Sequence, residues 1–303
     1  MPWSRSLPES VLPIHTYAEL DEYVTAFASG HLNLLIILGP AGVGKSRILQ
    51  SRVAAEACWI DGTATPFGIY MQAYEFRDRP LVLDDVDGLY ANRSGVRLLK
   101  CLCQTDSVKT MSWLTNATAL EKNGIPKSFV TTSRVAIIAN RWECPNADVA
   151  ALLDRGHTIS FEPAPIELHQ RAATWFWDQD IFDFVADHLH LIAEHSFRTY
   201  VLAWEKKQAG LDWQQFVLSR LLTGTALQVA RLNAQASFSS NGERVQAFID
   251  RGHGSRATWF NHAKTLRHVG DEPPRLLLKH TGPPTPAVSS QCEIKEVEAL
   301  QFL

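Results

Sequence analysis

The octapeptide Gly39-Pro-Ala-Gly-Val-Gly-Lys-Ser46 most constrains what this chain can fold into. It fits the pattern G-x-x-x-x-G-K-[ST], and the apolar run Leu34-Leu-Ile-Ile-Leu38 leads into it as a buried strand would. In such a loop the glycines let backbone N–H groups curve around phosphates, the lysine reaches the β and γ oxygens, and the hydroxyl ligates Mg²⁺. The motif therefore predicts a nucleoside triphosphate site followed by a helix whose positive end faces the anion. The residues predicted to hold the nucleotide are Gly39, Pro40, Ala41, Gly42, Val43, Gly44, Lys45 and Ser46.

Size and composition exclude several classes of protein. A chain of 303 residues with 46% hydrophobic content can bury a full core, and its length predicts about two domains. No apolar stretch approaches the roughly 20 residues that span a bilayer, and Met1-Pro-Trp-Ser-Arg5 lacks the apolar segment of a signal peptide. We therefore expect a cytoplasmic protein with no membrane partner. A net charge of −3 excludes a histone-like polycation but permits a local basic surface.

Short apolar runs alternate with helical patterns, which predicts an α/β fold with a parallel sheet. The five predicted strands are Leu34–Leu38, Cys58–Asp61, residues 80–84, Val135–Ala139 and His157–Phe161. Two β-leaning stretches between Asp106 and Ser133 form either a hairpin or an extension of this sheet. From Ile166 to about Leu222 the pattern is helical.

These patterns predict four regions. Residues 1–163 form an α/β nucleotide-binding domain, residues 164–224 a helical domain, and residues 225–269 a further helical segment. Residues 270–303 begin with a stretch rich in proline, glycine, threonine and serine, which predicts a flexible tail. Apolar residues near its end, such as Ile294 and Val297, suggest a peptide that docks on a partner protein, although frayed termini are the commoner case.

Paired acids follow the third predicted strand, in Leu81-Val-Leu-Asp-Asp85. With a phosphate loop upstream, Asp84 is expected to hold Mg²⁺ and Asp85 to orient the attacking water. An acidic turn with no catalytic role is the alternative. Asn140 ends the fourth predicted strand, where it would face the γ-phosphate.

Two arginines complete this ordered set: Arg155 precedes the fifth strand, and Arg198 lies in the helical region. The whole set resembles the AAA+ ATPases over roughly residues 15–222. The resemblance implies a P-loop NTPase fold with a five-stranded parallel sheet and a C-terminal helical lid. It also implies ATP as the nucleotide, Asn140 as sensor one and Arg198 as sensor two. Arg155 would be the arginine finger that reaches a neighbouring subunit's nucleotide.

A finger supplied in trans requires subunits packed head to tail, so the resemblance implies a homo-oligomeric ring or helical filament. The family usually has glutamate as the second acid, and Asp85 is one methylene shorter. Misplacing a catalytic group by about 1 Å can cost ~100-fold in rate. We therefore expect slow, switch-like ATP hydrolysis; a strand that lies closer to the phosphates is the alternative, because it would compensate for the shorter side chain.

Residues 243–267 are typical of a helix, a glycine turn and a second helix, and their pattern resembles a helix-turn-helix. Ser255 would cap the second helix. The side chains expected to face DNA are Arg256, Thr258, Asn261, Lys264 and Arg267, and those expected to face inward are Ala257, Phe260 and Leu266. A helical hairpin with a solvated basic face is the alternative.

The stretch around Trp113 offers a second route to DNA, since Lys109, Lys122 and Lys127 would give a hairpin there positive charge. An ordinary surface loop is the competing interpretation. Together these features favour an oligomerising ATPase that acts on DNA or a DNA-bound complex, in mobile-element replication initiation, helicase loading or transposition regulation. The alternative is an AAA+ ATPase that remodels a protein complex without nucleic acid.

Overall fold

The computed structural model of the chain describes residues 7–53, 55–86, 89, 93–114, 118–140, 152–189, 195–235 and 237–267. The chain divides into two compact units, Met1–Pro163 and Ala164–Leu303. The described part of the first unit is α/β, and that of the second is helical throughout its regular elements. The predicted tail and its docking peptide lie outside the described residues.

A parallel sheet of six strands forms the centre of the first unit. The strands are β1 (Leu12–Ile14), β2 (Leu34–Leu38), β3 (Cys58–Asp61), β4 (Leu81–Asp84), β7 (Val135–Ala139) and β8 (His157–Phe161). They pair in the order β1-β8-β2-β7-β4-β3. The five predicted strands are confirmed, but the predicted number of five is wrong. The sixth strand, β1, has only three residues, and Pro13 at its centre is tolerated because β1 is an edge strand that pairs with β8 alone.

Helices connect these strands and cover the sheet. They are α1 (Tyr17–Ala28), α2 (Lys45–Val53), α3 (Pro66–Glu75), α4 (Arg93–Leu102) and α5 (Thr118–Lys122). Strands β2 and β7 are buried at every position, as expected of central parallel strands with both faces covered.

The stretch around Trp113 is an antiparallel hairpin of β5 (Lys109–Ser112) and β6 (Ser128–Thr131), separate from the main sheet. The Trp113 ring lies 5.7 Å from the Tyr70 ring of α3, measured between centroids. Lys109 is 1% exposed, and its Nζ donates to the Ser133 carbonyl at 2.8 Å. The expectation that Lys109 adds surface charge is therefore wrong, because the alternation of β5 places it on the buried face with Met111.

The second unit contains seven helices in its described residues, and the helical pattern predicted from Ile166 to Leu222 is confirmed there. They are α6 (Pro165–Ala172), α7 (Gln179–His188), α8 (Phe197–Gln208), α9 (Trp213–Leu221), α10 (Gly224–Ala234), α11 (Asn241–Asp250) and α12 (Arg256–Arg267). The last three share a small core around Val229, Val245 and Phe248.

Candidate functional site

The predicted site residues of the first unit, except Arg155, meet at one edge of the sheet. The loop of residues 39–46 follows β2, Asp84 ends β4, and Asn140 follows β7. Since β7 lies between β2 and β4 and all three are parallel, their carboxyl ends are neighbours. This edge is where open α/β sheets bind ligands.

The three glycines of the loop are each required by its backbone. Gly42 and Gly44 have φ of 78° and 86°, in the left-handed region that side chains disfavour. A Cβ on Gly39 would lie 2.3 Å from the Phe161 carbonyl oxygen at the end of β8. The loop therefore needs its glycines for conformation and for close packing, as a phosphate-cradling loop would.

Lys45 is the first residue of α2 and is 5% exposed. Its Nζ donates to the carbonyl oxygens of Gly39 and Pro40, each at 2.8 Å, and to Oδ1 of Asn140 at 3.1 Å. The ammonium group is thus held over the loop, beside the positive end of α2. An anion bound in the loop would be attracted by the Lys45 ammonium group and by the positive end of α2.

Asn140 links Lys45 to Asp85. Its Nδ2 donates to Oδ1 and Oδ2 of Asp85 at 2.9 and 2.8 Å. Asp85 has a φ of 51° and is the single non-glycine residue with positive φ in the described part of the chain. Such backbone conformations occur disproportionately at functional sites. Lys45, Asn140 and Asp85 therefore form a continuous hydrogen-bonded network, which we call the Lys45–Asn140–Asp85 network.

Ser46 and Asp84, the predicted Mg²⁺ ligands, are hydrogen bonded to each other through their side chains. Burial raises the pKa of Asp84, the Ser46 hydrogen bond and Lys45 oppose this rise, and the carboxylates of Asp85 and Asp61 add to it. A carboxylate that is partly desolvated and beside like charges favours a nearby cation.

Asp61 was not singled out from the sequence. It ends β3 and pairs in register with Asp84. The signal that would have revealed it is an acid at the carboxyl end of the strand next to β4.

A metal site here would be a partial one. Within the residues that the structure describes, no group of three or more His, Cys, Asp or Glu side chains could hold a metal ion. Ser46 and Asp84 offer one hydroxyl and one carboxylate. Mg²⁺ commonly binds one or two protein ligands of this kind and completes its shell with water and substrate phosphates.

Arg155 contacts helix α4 rather than the Lys45–Asn140–Asp85 network. Its Nη1 donates to the Lys100 carbonyl at 2.8 Å, in the last turn of α4. A guanidinium at this position satisfies a carbonyl at the helix end and interacts favourably with the helix dipole. The structure gives Arg155 this contact within its own chain, and its role as a finger stays a prediction.

Arg198 belongs to the second unit, so it is not among the residues that the first unit brings together. It is the second residue of α8, its backbone N–H donates to the Ser196 hydroxyl at 3.2 Å, and its side chain is exposed. Its predicted role as sensor two also stays a prediction.

The helix, turn and helix predicted for residues 243–267 are present as α11 and α12. Ser255 Oγ accepts a hydrogen bond from Thr258 N at 3.2 Å, which makes it the expected cap. The predicted inward face is wrong for Ala257 and Phe260, which are both exposed.

The buried positions of α12 are instead Trp259 and Ala263, with Leu266 packed beside them. The Trp259 ring lies 5.4 Å from the Phe248 ring of α11. These three residues follow a helical i, i+4, i+7 pattern, so anchoring Trp259 in this core turns its neighbour Phe260 outward.

Comparison with known proteins adds one distant relative. No protein-family model matches the chain. A protein of Enterobacteria phage T4, named an uncharacterized 36.7 kDa protein in nrdC-mobD intergenic region, is 28% identical over 141 residues. The match covers 44% of this chain and 41% of the phage protein. In the residues that the structure describes, no helix is long and apolar enough to cross a membrane.

Proposed function

We propose that the chain is an ATPase that binds Mg²⁺-ATP at the loop of residues 39–46. The observation that carries the proposal is the Lys45–Asn140–Asp85 network. Three separate parts of the sequence contribute to it: the loop with its lysine, the polar residue after β7 and the acid after β4. Direct hydrogen bonds nevertheless join Lys45, Asn140 and Asp85.

Each residue has a distinct role in this proposal. Lys45 and the loop N–H groups hold the phosphates, and Ser46 and Asp84 hold Mg²⁺, which neutralises charge on the transferred phosphoryl group. Asp85 orients the attacking water. Both of its oxygens accept from Asn140 in the structure, and each keeps a lone pair that can accept a hydrogen bond from the water. To donate to the γ-phosphate, Asn140 Nδ2 must give up at least one of its two hydrogen bonds to Asp85.

The finer assignment to the AAA+ class rests on the order of the motifs. It makes the helical unit a lid, Arg198 a sensor and Arg155 a finger acting in a head-to-tail homo-oligomer. Asp85 is shorter than the glutamate usual in that class, which favours slow turnover and a switch-like cycle.

The replacement Lys45→Ala tests nucleotide binding. We expect it to weaken Mg²⁺-ATP binding by at least about 100-fold and to abolish turnover, because it removes the cation that serves the phosphates. Lys122→Ala, which removes an exposed lysine of α5 in the same unit, is the control and should bind like the wild type. Binding is measured by calorimetry and folding by circular dichroism. Unchanged ATP binding in folded Lys45→Ala would contradict the proposal.

We propose DNA, or a complex on DNA, as the target of this ATPase, with a nucleic-acid-free protein complex as the alternative. The support is the outer face of α12, formed by Arg256, Phe260, Asn261 and Lys264, all exposed. The Arg256 guanidinium lies 5.7 Å from the centre of the Phe260 ring, and α12 contains no acidic residue. Cationic and aromatic side chains on one face suit phosphates and bases. The buried Lys109 no longer contributes to this argument.

A salt titration tests this target. In Arg256→Ala/Lys264→Ala the slope of log affinity against log salt should become shallower by about 0.9 for each duplex phosphate that the variant no longer neutralises. The matched control is Arg220→Ala, because Arg220 also lies over a phenylalanine, Phe216 of α9, at 5.8 Å. A wild type that binds neither duplex nor single-stranded DNA in the presence of ATP would favour the protein-remodelling alternative.

A further inference from the structure

Tyr17 is a buried side chain that contacts the backbone of the loop. Its hydroxyl donates to the Val43 carbonyl oxygen at 3.0 Å, and its ring packs edge-on against Phe161 with centroids 5.1 Å apart. Tyr17 is the first residue of α1, directly after the N-cap Thr16. No motif in the sequence points to it.

The start of α1 is held firmly, so the Tyr17 hydroxyl has a defined position. Thr16 and Glu19 form a capping box, in which Glu19 N donates to the Thr16 hydroxyl at 3.2 Å and Thr16 N donates to Glu19 Oε2 at 2.9 Å. The preceding strand β1 pairs with β8, and Ile14 is in register with Phe161. The short sixth strand thereby fixes where α1 begins.

The contact with Val43 also fixes the next N–H group. No peptide bond in the described residues is cis, and in a trans peptide the C=O and N–H groups point in opposite directions. Since the Val43 carbonyl points at Tyr17, the Gly44 N–H of the same peptide points away from it. Gly44 has a φ of 86°, a region in which glycine has backbone freedom that other residues lack. A hydrogen bond from outside the loop restricts that freedom.

We propose that Tyr17 is a positioning residue for the phosphate site, which holds the Val43–Gly44 peptide so that the Gly44 N–H is aimed at the bound phosphates. This inference rests on the proposed ATP site. In the wild type the orientation of this peptide is set when the chain folds. Without the hydroxyl the peptide must be ordered when the nucleotide binds, so the cost appears in the binding affinity.

The replacement Tyr17→Phe tests the proposal, because it removes one hydroxyl and keeps the ring that packs against Phe161. The chain offers a matched control in Tyr70→Phe. Tyr70 is also buried among aromatic rings, and its hydroxyl donates to a backbone carbonyl, that of Pro126, at 2.8 Å. Both replacements leave one carbonyl without its tyrosine donor, and Pro126 lies outside the loop.

We expect the Kd of Tyr17→Phe for Mg²⁺-ATP and for Mg²⁺-ADP to rise together, by roughly five- to tenfold, the effect of losing one ordinary hydrogen bond. Both nucleotides should respond because the affected N–H serves phosphates that they share. KM should rise with little change in kcat, and Tyr70→Phe should match the wild type in all four quantities. Thermal unfolding of both variants shows whether their losses of stability are similar.

The outcomes separate this inference from the function on which it rests. If the wild type binds ATP and Tyr17→Phe binds it equally well, Tyr17 has a structural role only and the inference is wrong while the ATP site stands. Equal weakening in both variants would indicate a general loss of stability and would also overturn the inference. If the wild type binds no ATP, the proposed function and the inference fail together.

Discussion

Asp85 combines a left-handed backbone conformation with a carboxylate in which both oxygens accept hydrogen bonds from Asn140. Its positive φ is least costly for asparagine, aspartate and glycine, which explains how a non-glycine residue occupies the position. Both carboxylate oxygens accept from Asn140, and its backbone N–H donates to the Ile138 carbonyl at 3.0 Å. The arrangement presents the carboxylate to the end of β7, beside the strand that leads into the loop.

The replacement Asp85→Asn isolates the charge of this side chain, since asparagine tolerates the same backbone conformation. We predict that ATP hydrolysis falls by about 10² to 10⁴, the usual contribution of a group that assists proton transfer, while ATP affinity changes little. Single-turnover hydrolysis and equilibrium binding measure the two effects. Asp61→Asn is the control, because it removes another carboxylate at the same edge of the sheet. Equal loss in both variants would assign the effect to local charge and not to orientation of water.

At the scale of single residues, the sequence predicts the residues that belong to a chemical motif. It does not predict contacts that depend on how distant elements pack. The order of certain residues along the chain is typical of phosphate chemistry and predicts a shared site: Lys45, Ser46, Asp84, Asp85 and Asn140. The structure places these residues together. Tyr17 reaches the loop from 26 residues away through a hydroxyl contact that no local pattern encodes. The same limit applies to Arg155, whose contact with the Lys100 carbonyl depends on how α4 and β8 are arranged.

Among the elements, the uniformly apolar strands are predictable from the sequence, whereas the three-residue strand β1 and the buried face of α12 are not. Strands β2 and β7 are five-residue apolar runs, whereas β1 has three residues and a central proline, a pattern typical of a loop. Helix α12 has adjacent aromatic residues, Trp259 and Phe260, so two helical faces were available from periodicity alone. Contact with α11 selected the face that carries Trp259.

A buried polar cluster joins α6 to α8 in the second unit. The Tyr200 hydroxyl lies 2.8 Å from Nδ1 of His169 and 2.9 Å from Nε2 of His195, and all three residues are buried. Burial lowers the pKa of His169 to about 4. Burial and the neighbouring His169 lower the pKa of His195 to about 3. Both imidazoles are therefore neutral in the folded protein at neutral pH.

This cluster predicts that the helical unit loses stability in mild acid. Above the unfolded histidine pKa of about 6.5 neither state takes up protons at these sites, so their contribution to stability is complete. As the pH falls from about 6.5 toward the folded values, the unfolded chain binds protons that the folded chain does not, and stability decreases. The loss should reach up to about 2 kcal/mol per histidine between pH 7 and pH 5.

Urea unfolding at pH 7 and pH 5 measures this loss. In His169→Gln the difference between the two unfolding free energies should shrink by up to about 2 kcal/mol, whatever the replacement does to absolute stability. His157→Gln, at an exposed histidine of β8, serves as the control and should keep the wild-type difference. A His169→Gln variant with the wild-type pH dependence would show that the cluster does not couple proton binding to folding.

At the scale of the whole molecule, the two roles available to Arg155 make opposite predictions. As a helix-end contact within its own chain, Arg155 contributes about 1 kcal/mol to stability and nothing to turnover. As a finger in a neighbouring subunit's site, it contributes on the order of 10³-fold or more to hydrolysis. The proposed AAA+ assignment predicts the second role, and the hydrogen bond to Lys100 does not prevent it, because a guanidinium has five N–H donors.

We predict that Arg155→Ala hydrolyses ATP at least ~10³-fold more slowly while its ATP affinity is retained, and that ATP drives the wild type into larger assemblies. Sedimentation with a slowly hydrolysed analogue measures assembly. Mixing Arg155→Ala with Lys45→Ala is the sharper experiment, since each head-to-tail junction pairs one subunit's finger with its neighbour's loop. Activity should return only at junctions where a Lys45→Ala subunit supplies the finger and an Arg155→Ala subunit supplies the loop. A protein that stays monomeric with full activity, or an Arg155→Ala variant that loses stability but not turnover, would restrict Arg155 to its contact with α4.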